Sequence, residues 1–304
     1  MTSPSRELAR FAVHFDPTGI PESVRAIMLH RVGSLAGLAT AGSARPVVAG
    51  ALAALSPFSN AEQVGLLGQD RRIGLCDAPI ITATSMSCAW RESDNPAAEQ
   101  VWLDGPVVAA ALAVGEYTAA SGPNVLAALT IGVELAMRVE HGISPALRAG
   151  GWVSGAAGAR LGAAAAAGRL VALNVDQMVS ALGLAATQAA GFEVAADSAG
   201  GDLAYGKAAG DGTEAALLAG AGFEGPAAPL EGRRGLVEVL APEQHDLGVT
   251  IDGLGHRWLV QSLPAQADLP QLLDCPHTVA AARDLSAAPN LDRLHAAARE
   301  DKVA

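Results

Sequence analysis

Aromatic side chains make up only 4% of the 304 residues, and there are three cysteines. Helices that cross closely on small residues need few aromatics, whereas a sheet-rich core needs many, so a strand-rich fold is excluded first. Cys76, Cys88 and Cys275 are odd in number and widely spaced, with no CxxC pair and no histidine placed beside them. That pattern excludes a disulfide framework and a zinc site and reads as free, small, buried thiols. The other histidines, His14, His30, His141, His245, His256 and His295, also lack ligand spacing, so no metal and no organic cofactor is expected. Basic residues number 20 against 31 acidic ones, a net charge of −11, and no basic stripe alternates with aromatics. Nucleic acid is therefore not an expected partner. Long apolar runs are missing too. The Ala-rich stretch from Gly162 to Leu173 is broken by Arg169 and falls short of the ~20 strongly apolar residues of a membrane span. The segment MTSPSRELARFAVHFDPTGIP has no apolar run of signal-peptide length, so a cytoplasmic, membrane-free protein is expected.

What is present is alanine, glycine and helical periodicity. Pro21 and Glu22 suit a first helical turn, and Val24, Ile27, Met28, Leu35 and Leu38 follow at helical spacing up to Ala41-Gly42. Val47 to Leu55 forms a second apolar run that stops at Ser56-Pro57, and Ala61 to Leu67 is a third, short element. From Gly105 the pattern predicts helices over Pro106–Ala120, Pro123–His141, Ser154–Leu173, Val175–Ala190 and Lys207–Gly222, with Asn174 and Asp176 placed to cap the fourth. After Gly222 the texture changes. Turn residues fill 230–235, strand-like or irregular pieces surround Val249-Thr250-Ile251 and Trp258-Leu259-Val260, and a last helix starts near Pro276 and runs to Arg283. The expected division is a helical core domain over 1–235 and a second region over 236–304.

Three blocks carry a family resemblance. Gly151 to Leu170 reads GWVSGAAGARLGAAAAAGRL, similar to G-F-H-P-T-G-T-A-G-x-F-G-A-A-A-A-A-x-R-L. Ala181 to Gly191 reads ALGLAATQAAG, similar to A-L-G-I-A-G-S-Q-A-S-G, and AGFEGP (221–226) with LEGRRG (230–235) is similar to A-G-F-T-G-P and L-E-G-R-x-G. In order and spacing the chain resembles the MmgE/PrpD family from about Leu8 to Arg283. The resemblance implies a mostly α fold, a large all-helical core with a truncated α+β lid remnant, and a homodimer acting on a small-molecule substrate. Members include 2-methylcitrate dehydratase, cis-aconitate decarboxylase and an iminodisuccinate epimerase, which move a proton next to a carboxylate without metal or organic cofactor. Such chemistry needs a general acid/base within hydrogen-bond reach and cationic donors for the developing enolate-like charge.

Most of those groups are replaced here. The family's D-F-D-D-T-x-H-P loop falls on Ala89 to Pro96, where Ala89, Arg91, Glu92 and Asn95 stand for three acids and the His. The His of G-F-H-P-T falls on Val153, and T-K-R-L-H-P falls on Gly200 to Tyr205, so that Gly201 and Asp202 replace Lys and Arg. The catalytic candidates are His277, which matches a family His and could act as a base at a helix start, together with Lys207, Glu92, Ser93 and Asp94. The substrate-pocket candidates are Trp90, Val153, Trp152 and Tyr205. Each has a plainer reading: Glu92, Ser93 and Asp94 as a solvated loop, His277 as a cap, Lys207 as a surface ammonium. Gly200-Gly201 and Gly210-Asp211-Gly212 lack phosphate-loop spacing. Two functions are compatible with these replacements: a divergent lyase, isomerase or cyclase acting on a metabolite less anionic than a tricarboxylate, or a non-catalytic helical dimer serving as a partner or binding module.

Overall fold

Ser3 accepts a hydrogen bond from the Arg6 N–H and so starts α1 (Pro4–His14), which the sequence pattern had not marked. Its buried face of Leu8, Ala9, Phe11 and Ala12 shares the chain with four charged or titratable residues, which hides the periodicity. The computed structural model describes residues 3–59, 61–92, 102–242, 245–263 and 275–303. The chain continues through α2 (Glu22–Gly42), α3 (Pro46–Leu55), the antiparallel pair β1 (Val64–Gly65) and β2 (Arg72–Ile73), α4 (Ala78–Arg91) and α5 (Asp104–Tyr117). It then forms α6 (Gly122–Ala149), α7 (Ala156–Leu170), α8 (Val175–Ala186) and α9 (Ala199–Gly220). The short α10 (Leu236–Leu240) and α11 (Gly248–Ile251) follow, then α12 (Pro276–Arg283) and α13 (Asp292–Val303). The fold is mostly α, as expected.

The middle of the fold is α7. Thirteen consecutive residues, Ala156 to Gly168, are buried, and α6, α9 and α5 pack around them. Small residues let these helices approach to backbone contact. A Cβ built on Gly212 of α9 would lie 2.6 Å from the Arg160 carbonyl oxygen, and one on Gly162 would lie 2.5 Å from the Gly132 oxygen. Alanine content is thus the packing code of this core. At α8 the expected cap is present as a capping box, with Asn174 accepting from the Gln177 N–H and the Gln177 side chain accepting from the Asn174 N–H, 3.0 Å each.

Three expectations need correction, and one short element is given its type. The element at Ala61 to Leu67 is half of a two-stranded pair, with Gln63 and Leu66 bonding back to Ile73 and Arg71. The helix expected to open at Lys207 begins at Ala199, because Ser198 caps it and the glycines there sit inside the helix. A further helix, α13, follows Arg283, with Leu294 and Ala298 buried and Leu291 buried just before its start. The pieces at 249–251 and 258–260 are helical turns. Buried Arg138 of α6 donates to the carbonyls of Thr250 (3.4 Å), Asp252 (2.9 Å) and Arg257, while Glu134 accepts from the Leu259 and Val260 N–H groups at 3.1 and 3.0 Å. These bonds to α6 replace the ladder that the β-branched residues suggested.

The region after 235 packs onto the rest. α12 lies on α2 and α13, and Leu236, Trp258, Leu285 and Leu294 belong to the same buried cluster as Leu8 and Met28. Among the described residues no single helix is long and apolar enough to cross a membrane.

Candidate functional site

Three pieces of backbone meet where the C-terminal end of α4, the turn before α7 and the first turns of α9 come together. Gly206 makes this possible. A Cβ there would lie 2.3 Å from Thr84 Oγ1 and 2.8 Å from the Ile80 carbonyl oxygen, so α9 rests directly on α4. That approach buries Asp202 opposite the end of α4. Arg91 grips it with two donors, Nη2 to Oδ2 at 2.8 Å and Nε to Oδ1 at 3.2 Å, and Ser87 Oγ donates to Oδ1 at 2.9 Å. The Asp202 bond raises the Arg91 pKa and keeps it charged. Glu92 ends the helix with Arg45 Nε at 3.3 Å, and Trp90 is buried one residue before the Arg91 grip. The Cys88 thiol is pushed up to about 11, chiefly by burial and then by Asp202 and Glu92, so it is no nucleophile at neutral pH.

On the other side of α9, the Tyr205 hydroxyl donates to the Ser154 carbonyl at 2.9 Å, and its ring meets Trp102 edge-on with centroids 4.9 Å apart. Burial raises the Tyr205 pKa, with Glu140 and Asp202 adding to it, so the phenol stays protonated. Glu140 fixes the start of α7 by accepting from the Gly155 N–H at 2.8 Å and the Gly158 N–H at 3.4 Å. Gly155 has φ +89°, a conformation that suits glycine. Val153, buried, bonds backbone to backbone with Gly191, and Trp152 stacks on Phe192 with centroids 5.7 Å apart.

Of the expected residues, Trp90, Glu92, Val153, Trp152 and Tyr205 therefore sit on segments that meet at one end of α9. Lys207 lies further along the helix, half exposed, where its ammonium is 2.7 Å from Asp211; that carboxylate also takes Arg160 Nε at 3.0 Å. Burial lowers the Arg160 pKa and Asp211 opposes the shift. His277 sits at the start of α12, with Nδ1 2.8 Å from Asp301 of α13. Asp301 also accepts from the His277 and Thr278 N–H groups, at 3.1 and 2.6 Å, and so caps α12 from a distant helix. Ser93 and Asp94 lie outside the described residues. Among the described residues no three His, Cys, Asp or Glu side chains converge as a metal site.

Sequence reasoning overlooked Ser87, Trp102 and Glu140, and took Asp202 only as the loss of an Arg. A signal for the last was available. Relative to the family pattern, an acid becomes Arg91 while an Arg becomes Asp202, and a paired exchange of charge marks two positions in contact.

The arrangement is a mostly α fold, closely packed on small residues, with a polar cluster held at one end of its central helices. A family model for the MmgE/PrpD N-terminal domain matches residues 6–247, and the chain belongs to the MmgE/PrpD family. Membership suggests a dehydratase- or lyase-like enzyme. No curated protein matches the chain.

Proposed function

We propose that this protein catalyses cofactor-free proton transfer, as a lyase, isomerase or cyclase, on a small metabolite that is not a tricarboxylate. One observation carries the reading: at the positions where the family pattern supplies acid and cation, Arg91 and Asp202 neutralise each other at 2.8 Å. A bidentate pair of this kind leaves little charge for a polyanion to claim. Tyr205, held protonated, becomes the donor for an oxygen that gains charge once its hydroxyl leaves the Ser154 carbonyl, and Glu92 is the carboxylate that follows onto the same end of α4. Cytoplasmic location and a homodimer belong to this proposal.

The test is exchange of carbon-bound hydrogen with deuterated solvent, followed by mass spectrometry, over panels of neutral carbonyl compounds and of di- and tricarboxylates. Exchange confined to the neutral panel and lost in Tyr205→Phe is the expected result; turnover of citrate by the wild type overturns it. In Asp202→Asn the freed Arg91 should add carboxylate binding.

A second reading, a non-catalytic helical partner, is favoured by the Tyr205 hydroxyl and ring both being engaged, by Ser154 and Trp102. Absence of exchange with every compound, together with dimers in sedimentation, would select it.

A further inference from the structure

A second feature lies away from the Arg91–Asp202 pair, in the groove between the end of α8 and the 226–240 segment. Its volume is about 350 Å³, and its walls include Trp152, Pro226, Pro229, Leu236, Arg233 and Arg234. Arg233 and Arg234 are the charged residues of this lining, in a chain where acids outnumber bases by 31 to 20. Both are exposed, and among the described residues neither guanidinium has a carboxylate within ion-pair distance. At the α8 end the Thr187 hydroxyl and the Gln188 side-chain amide both donate to the Leu184 carbonyl.

The backbone adds an independent observation. Arg234 has φ +61°, a left-handed conformation that a branched or long side chain adopts at a cost, with Gly235 directly beside it. Its N–H is held by the Glu238 carboxylate, which fixes the turn, and both consecutive arginines are among the residues that line the groove. A strained arginine where glycine would be easier argues for use of its side chain. Apart from the arginines, Thr187 and two glycines, the lining side chains are apolar, and the Trp152 ring is stacked on the two-thirds-exposed Phe192.

We propose that this groove binds a small-molecule monocarboxylate with an apolar body. The carboxylate is held by the Arg233 and Arg234 forks and the hydrocarbon lies along Trp152, Pro226 and Leu236. The groove shares Trp152 with the candidate site, but the proposal rests on Arg233 and Arg234 and its test is separate from that of the chemistry at Asp202.

The probes are 4-phenylbutyrate, its uncharged amide and inorganic phosphate, titrated calorimetrically into the intact protein. Saturable binding of the acid, with the amide weaker by ~10-fold or more, is expected. The double variant Arg233→Ala/Arg234→Ala, checked for an unchanged far-UV spectrum, should lose binding by a similar factor, and Trp152→Ala should weaken acid and amide alike. Arg234→Gly should melt higher than Arg234→Ala while binding no better, because it releases the left-handed strain but restores no guanidinium. Equal binding of acid and amide, phosphate binding as tight as the acid, or no saturable binding of the acid would each overturn the proposal.

Discussion

Glu116 on α5 shows what a mostly buried carboxylate requires. Its oxygens accept from the Gly65 N–H at 2.9 Å and Arg72 Nη1 at 2.7 Å, and His295 Nε2 of α13 lies 2.9 Å away. Burial pushes its pKa up, but the His295, Gly65 and Arg72 contacts outweigh that and hold it at about 2. A carboxyl depressed in the folded state contributes stability that is complete above its unfolded value, about 4.3, and is lost as pH falls through the folded one. Glu116→Gln should therefore destabilise the protein by up to ~3 kcal/mol at pH 7. In urea unfolding, the difference between variant and wild type should shrink steadily below pH 5 and vanish only as pH falls below about 2. A difference independent of pH would mean that the charge is not what stabilises. The fully buried Glu134–Arg138 pair poses a sharper case. Glu134→Gln leaves Arg138 without its anion and should cost ~3–5 kcal/mol. Hydrogen exchange should show early opening of 250–263, the segment that both side chains hold. Uniform loss of protection would contradict this local role.

Among the elements, glycine position decides the sign of a substitution. Gly212→Ala would drive a methyl to within 2.6 Å of the Arg160 carbonyl oxygen and 2.8 Å of the Ala164 nitrogen, atoms of a backbone that cannot move aside. Overpacking at such a crossing should cost at least ~1–3 kcal/mol. Gly50 stands inside α3 with nothing within 4 Å of the added methyl, so Gly50→Ala should stabilise by ~0.5–1 kcal/mol through helix propensity. Chemical denaturation of both variants checks the pair. Equal shifts would refute the claim that α7 and α9 meet backbone to backbone. The long helices were legible because their apolar and small residues repeat at helical spacing without interruption. α13 was not, since Arg299, Glu300 and Lys302 surround the buried Ala298 and Asp301 and disguise the period. The turns at 249–260 misled for another reason: their backbone partners are two charged side chains more than 110 positions earlier, and no local pattern records them. At the candidate site, the residue types at Trp90, Glu92, Val153 and Tyr205 could be read from the loop and helix positions. The bond between Arg91 and Asp202 needed the 111-residue separation to be closed by α4 and α9 packing.

Across the whole molecule, the buried cluster draws residues from both sides of position 235. Trp258 lies 6.0 Å from Phe11 and 5.4 Å from Phe15, ring centre to ring centre, so the first helix and the 258 turn share one aromatic contact. Glu231 accepts from Ser5, tying residue 231 to α1, and α12 covers α2, where a Cβ on Gly33 would touch Val279. Asp301 then fastens α12 by capping it; burial raises its pKa, and the Thr278 and His277 bonds outweigh that and lower it. With contacts of this kind on both sides of α2, the described residues before and after position 235 bury apolar surface against each other. Thermal unfolding should therefore be a single transition, with calorimetric and van't Hoff enthalpies equal. Asp301→Asn should lower that one midpoint without splitting it, since removing the charged acceptor weakens the α12 cap but leaves the shared core intact. Two separated transitions in the wild type, or a C-terminal transition that Asp301→Asn alone moves, would mean that the chain after residue 235 folds as a unit of its own.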